Sequence, residues 1–148
     1  MGAPYNNIDT RIENALASWV QGCITVGACS LTDYGCLKTG LDDETMEENR
    51  IIISVVGAEE LIARSGIWNS VIRVTVYTNM DSTGGFANHK ANVGVMRDLF
   101  MESGLITALN SATADVIFSG VGTYKVENQI EERSAVGSIS FGLIASAT

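Results

Sequence analysis

Residues 67–79 (IWNSVIRVTVYTN) alternate without a break. Trp68, Ile72, Val74 and Val76 fall on even positions, and Val71, Arg73, Thr75 and Tyr77 on odd ones. A period of two puts these sets on opposite faces of an extended chain, so the segment predicts one long strand. After Asp81-Ser82-Thr83-Gly84-Gly85 the period lengthens. Phe86, His89, Val93, Met96 and Phe100 recur at helical spacing, with Leu99 beside them, which predicts an amphipathic helix over about Gly85–Ser103. Asp81, Ser82 or Thr83 offers an oxygen to a free amide at its start, and Gly104 ends it. Leu105–Ala112 predicts a short third helix or a continuation after a kink.

The rest of the chain is read in the same way. Ile8, Ile12, Leu16, Trp19 and Val20 predict a first helix over Ile8–Gln21, capped by Asn6 or Asn7 and stopped by Gly22. Arg50–Gly57 (RIIISVVG) is short, apolar and β-branched, as a central strand is, and Ala58–Ser65 continues it in more polar form. Asp115–Val121 predicts another strand, which Gly122–Ile130 either extends or follows as a hairpin arm. Glu131-Glu132-Arg133 is a polar turn. Ser134–Thr148 carries no charge, and its Ile139, Phe141 and Leu143 alternate with Ser138, Ser140 and Gly142. Such a strand needs cover, from the domain's own helices or from a neighbouring subunit.

The order α-β-β-α-α-β-β predicts an α+β fold: a mostly antiparallel four-stranded sheet with helices packed on one face. At 148 residues the chain predicts one domain, 1–148, with a less regular insertion at about 22–49. In that insertion Ser30–Gly40 has turn chemistry. Leu41–Arg50 has five acidic residues in ten, which reads as a solvated loop or as a contact surface for a basic partner.

Charge narrows the function classes. The net charge of −8 weighs against a surface that grips phosphates, which needs clustered Lys and Arg. It is compatible with a wall that repels phosphates and lets a duplex slide past. Cys23, Cys29 and Cys36 follow a C-x5-C-x6-C spacing with no histidine nearby, which predicts reduced thiols and no metal site. No apolar run approaches the ~20 residues of a membrane span. The first residues lack the basic and apolar regions of a signal peptide, and Asn6 stands where myristoylation wants Ser or Thr.

A search for chemistry returns little. His89, the only histidine, lies in the apolar stripe of the second helix, so a packed structural role is expected of it. No G-x-S-x-G elbow offers it a nucleophile. The pairs Asp42-Asp43, Glu47-Glu48, Glu59-Glu60 and Glu131-Glu132 are sequence neighbours in polar stretches, not carboxylates facing across a cleft. Gly84-Gly85 with Lys90 lacks the phosphate-loop string, and Gly120-Val121-Gly122 lacks the third glycine of a dinucleotide fingerprint. Tyr5, Tyr34, Tyr77 and Tyr124 are not interleaved with basic residues as a stacking platform for single strands would be. No catalytic, cofactor-binding or metal-ligating residue is expected.

One succession of segments is distinctive. Arg50-Ile51-Ile52-Ile53-Ser54-Val55 leads through Gly57-Ala58-Glu59-Glu60 to Ser65-Gly66-Ile67-Trp68 and Val74-Thr75-Val76-Tyr77-Thr78-Asn79. The helix bearing His89 and Arg97-Asp98-Leu99 follows, and the chain closes on Arg133-Ser134 and a strand ending Phe141-Gly142-Leu143. From Arg50 onward, about two-thirds of the chain, this resembles the tail terminator or tail completion proteins of tailed bacteriophages. The resemblance implies a non-enzymatic virion protein of the tail and neck, assembled in the host bacterial cytoplasm. Its subunits would form a ring, usually a hexamer, that caps the tail tube and meets the neck or head connector. DNA would pass through the centre without sequence-specific binding, and no cofactor or membrane is implied.

Loop chemistry then nominates interface residues: Asp42, Asp43, Glu44, Glu47 and Glu48 in the acidic loop, Asn79 and Asp81 in the turn after the long strand, and Tyr124, Lys125, Glu127, Glu131, Glu132 and Arg133 in the arm. The final uncharged strand is a further candidate for pairing between subunits. Other readings stay open: a tube subunit, head-completion protein or connector adaptor, a small enzyme using His89, or a monomeric ligand-binding domain.

Overall fold

A computed structural model describes residues 7–25, 35–38, 50–79, 86–114, 116–130 and 134–147. The chain runs α1 (Ile8–Thr25), β1 (Gly35–Lys38), β2 (Arg50–Glu60), β3 (Ile67–Asn79), α2 (Phe86–Phe100), α3 (Leu105–Ala112), β4 (Val116–Ile130) and β5 (Ser134–Ala147). This is the α+β arrangement that the sequence predicts. The four long strands are antiparallel neighbours in the order β2-β3-β5-β4, with helices against one face. A four-residue strand, β1, adds to the β2 edge in parallel.

The structure corrects three details and decides a fourth. Gly22 does not stop α1, which continues to Thr25 with open space around the glycine. Part of the expected 22–49 insertion is ordered as β1. Residues 116–130 form one strand, so Gly122–Ile130 extends it, the first of the two arrangements expected. Lastly, β5 lies between β3 and β4 and is hydrogen-bonded on both sides. Its lack of charge is explained by burial within its own sheet. A strand paired on both edges has none left to share with a neighbouring subunit.

α1 follows from its i, i+4 spacing. Ile8, Ile12, Leu16 and Val20 are fully buried, and each such side chain is worth about 1.5–3 kcal/mol relative to exposure. Asn7 enters the helix at φ 54°, a conformation asparagine tolerates, and its carbonyl accepts the Arg11 N–H. Glu13 of α1 reaches the sheet: its Oε2 accepts the Val55 N–H at 2.9 Å, where β2 bulges between Val55 and Gly57. A bulge leaves backbone groups off the ladder, and the Glu13 carboxylate takes up one of them.

α2 buries Val93, Met96, Leu99 and Phe100 from the predicted stripe. Edge-on and tilted aromatic contacts then link four elements of the core. Trp19 of α1 meets Phe100 of α2 at 5.5 Å, Phe100 meets Phe141 of β5 at 5.3 Å, and Phe141 meets Tyr124 of β4 at 5.1 Å. The Tyr124 hydroxyl donates to the Phe100 carbonyl at the end of α2.

Two polar side chains shape the sheet margins. Asn110 of α3 clasps β4: its amide donates to the Phe118 carbonyl and its carbonyl accepts the Phe118 N–H, both at 2.8 Å. The β2–β3 loop is built around Glu60, whose carboxylate accepts the N–H of Arg64 at 2.8 Å and of Gly66 at 3.0 Å. Both bonded residues have positive φ, 64° and 73°. Gly66 adopts that conformation without steric cost, whereas Arg64 needs the bond that holds it.

Candidate functional site

The two faces of this sheet are not alike. Opposed residues in an antiparallel pair share a face, so the register alone defines what the side without a described helix, the open face, presents. Its rows across β2, β3, β5 and β4 read Arg50–Tyr77–Val136–Gln129, then Ile52–Thr75–Ser138–Glu127, then Ser54–Arg73–Ser140–Lys125. Beyond the bulges come Gly57–Val71–Gly142, Glu59–Asn69–Ile144–Gly120, and finally Ile67–Ser146–Ile117. One end of the face is therefore polar and hydroxyl-rich, and the other carries the aliphatic Val71, Ile144, Ile67 and Ile117 among glycines and the polar Glu59, Asn69 and Ser146.

At the polar end lies a shallow groove of about 400 Å³ bounded by Arg73, Tyr77, Lys125 and Glu127, with Ser138 and Ser140 in its floor. Lys125 Nζ and Glu127 Oε1 form an ion pair at 2.7 Å, with both side chains mostly in solvent. The hydrogen bond from Lys125 and its charge, with a further contribution from Arg73, hold the Glu127 carboxyl below its ordinary range. At the top row the Arg50 guanidinium lies 4.5 Å from the centre of the Tyr77 ring, and Arg50 is only 3% exposed. This face carries Arg50, Arg73 and Lys125 against Glu127 and the more distant Glu59. The acidity of the whole chain does not extend to it.

Of the nominated interface residues, Lys125 and Glu127 stand exposed on this face. Tyr124 points the other way, half-buried against Phe141 and bonded to Phe100, and burial raises its pKa. Its side chain packs against the core. Asn79 ends β3 opposite Ser134. Asp42, Asp43, Glu44, Glu47, Glu48, Asp81, Glu131, Glu132 and Arg133 lie outside the described residues.

His89 is fully buried, and its Nδ1 lies 2.7 Å from the Thr78 hydroxyl, joining α2 to the last turn of β3. Burial pulls its pKa below the usual histidine range, opposed in part by a hydrogen bond with Asn128. Gly137 makes room here. A Cβ on it would come within 2.4 Å of a Val93 methyl and 2.8 Å of the Asn128 carbonyl oxygen. The histidine is thus placed to hold a helix on a sheet. Cys23 is half-buried against the core, and Cys29 and the Cys36 side chain lie outside the described residues. Among the described residues no three His, Cys, Asp or Glu side chains gather as a metal would require. No described helix is long and apolar enough to cross a membrane.

Sequence reasoning passed over Arg73, Arg50 and Asn110. The signal for Arg73 was in the alternation itself, which put Val71, Arg73, Thr75 and Tyr77 on one face. A mixed basic, hydroxyl and aromatic face is what an uncovered sheet surface looks like. Nothing in the sequence marks Asn110, because its partner is a backbone segment that only the fold brings near. A scan against protein-family models and a search of curated proteins both return no match.

Proposed function

We propose that this chain is a structural subunit of a tailed-phage virion, a tail terminator or completion protein. In this reading its copies close into a ring, six being the expected number, that caps the tail tube and meets the neck or connector. DNA passes through the centre. The work of such a subunit is contact, not catalysis.

The observation that supports this reading most directly is where the exposed apolar side chains lie. Among the described residues eight large hydrophobics are exposed, and six of them are Val56, Leu61, Ile62, Ile67, Val71 and Ile117. These six belong to the bulge of β2, the β2–β3 loop and the adjoining ends of β3 and β4. Exposed aliphatic residues scattered singly need no explanation, but a gathering at one end of a sheet suits a protein–protein contact. A head-to-tail ring needs two different patches on each subunit. The aliphatic end and the polar end of the open face differ enough in chemistry to serve as two. Because the open face carries Arg73 and Lys125, which would hold phosphates, a freely sliding duplex is better served by other surfaces of this acidic chain.

Electron microscopy of the purified protein, alone and mixed with tail tubes, tests the reading. Rings at tube ends and tubes that stop growing are expected. Ile67→Glu with Ile117→Glu should abolish both while leaving the circular dichroism spectrum unchanged. Tubes that elongate regardless, with the protein sedimenting only as a 15.7 kDa species, would rule the reading out.

A further inference from the structure

β4 is the last strand on its side of the sheet, and β5 is its only strand neighbour among the described residues. The two halves of its outer edge differ. At Phe118 the edge is closed by the Asn110 clasp, and register shifts at Phe118/Gly120 and Val121/Tyr124 interrupt the ladder. From Tyr124 to Ile130 the strand pairs with β5 residue for residue without a shift. Along this half Lys125 and Glu127 are exposed, and Val126 is 37% exposed. Bulges and a covering side chain are how sheet edges are blunted, and a regular, unbulged edge is a template for another strand. Among the described residues the first half of β4 has those devices and the second half has neither a bulge nor a covering side chain.

We propose that this second half pairs with the same segment of a second copy, antiparallel about a two-fold axis at Val126. The order Lys125-Val126-Glu127 selects both the occupant and the register. Turned end for end against itself, it sets Lys125 opposite Glu127 of the second copy, and Glu127 opposite Lys125 of the second copy. Both lie on the open face, so two oppositely charged cross-strand pairs form there, while Val126 meets its counterpart on the other face. A register centred one residue on would place Glu127 against Glu127. The Val126 register pairs Tyr124 with Asn128, which keeps the contact clear of the shift at Val121 and of the clasp at Phe118. The two sheets then join into one, with their open faces on the same side. A two-fold contact closes on itself and builds no ring. It therefore stands apart from the ring reading and doubles whatever species the free protein forms.

Charge exchange tests this directly. Lys125→Glu gives like charges across both pairs, and Glu127→Lys does the same with the opposite sign. Each variant should weaken self-association about thirtyfold, the combined effect of reversing two cross-strand ion pairs. The double variant Lys125→Glu/Glu127→Lys restores opposite charges and should associate as the native chain does. The two single variants, mixed in equal amounts, should pair with each other. The readout is mass by sedimentation across a concentration series at low salt, with circular dichroism confirming that each variant is folded. Native protein, double variant and the mixture should show twice the mass of either single variant. Equal masses for native and single variants, or a mixture that stays at the lower mass, would overturn the proposal, whether or not rings are seen.

Discussion

β5 is one strand with two different jobs on its two sides. Its odd positions, among them Ala135, Ile139, Phe141, Leu143 and Ala145, are buried under the helices. Its even positions, Val136, Ser138, Ser140, Gly142, Ile144 and Ser146, form the spine of the open face and are only half-buried. The covered side is tightly packed, and its aromatic contacts and small residues are fitted to each other. The open side is flat, with hydroxyls and short side chains flanked by Arg73 and Lys125. An uncharged strand thus need not be buried twice. Here it is buried once, and its other face is only half-buried. Substitutions on the two sides should accordingly behave differently.

The largest contrast is expected at Phe100. It is fully buried, touches both Trp19 and Phe141, and its carbonyl receives the Tyr124 hydroxyl. Phe100→Ala should cost about 3–5 kcal/mol, the usual range for removing a large core aromatic and leaving a cavity. Ser140→Ala, on the opposite side of the same sheet, should stay within about 0.5 kcal/mol. Urea denaturation measures both. Similar losses at the two positions would mean that the open face is not open in the native protein.

A smaller but sharper contrast lies between two glycines of β5. Gly137→Ala places a methyl 2.4 Å from Val93 Cγ2 and 2.8 Å from Asn128 Oδ1, so α2 must shift from the sheet. Overpacking of this kind costs about 1–3 kcal/mol. Val93→Ala in the same chain should recover part of it, because it removes the atom that is struck. Gly142→Ala comes tightly against only the Asn69 side-chain oxygen, at 3.2 Å on the open face, with the Gly122 backbone at an ordinary contact distance of 3.9 Å. That side chain can move aside, and the expected change is within about 0.5 kcal/mol.

These comparisons show what the sequence made legible. Alternation placed β3 at Ile67–Asn79, the bounds the structure has, and helical spacing found the buried stripe of α2. Both depend on burial against a single partner layer, which imposes one period over many residues. Gly22 misled because a glycine ends a helix only where the chain needs a left-handed conformation, and α1 simply continues through it. Of the two arrangements open for Gly122–Ile130, extension of the strand is the one found, and its polarity reflects an exposed edge and not a break in the strand. The open face was legible as the odd set of β3. Its significance was not, because which side the helices cover is decided by packing between distant segments. Asn110 and Glu13 could not be read at all, since each satisfies a backbone group eight or more residues away that only the folded sheet presents.

The smallest expected effect concerns His89, which fastens the covered side. Burial disfavours its charged form, so its pKa in the folded protein lies below the ordinary value of 6.5. The unfolded chain then takes up the proton at a higher pH than the native one does. The resulting stability is fully present above pH 6.5, falls as the pH drops below that value, and levels off beneath the folded pKa. Glu127 cannot mimic this between pH 7 and 5.5, because its own pKa is lowered from 4.5 and its effect falls further into acid. Urea midpoints measured across that interval should therefore decline for the native protein, and the decline should be absent in His89→Gln. That variant keeps a side chain able to bond the Thr78 hydroxyl but has no proton to gain. A slope that survives the substitution would assign it to another group and would leave the His89–Thr78 contact as packing without electrostatic consequence.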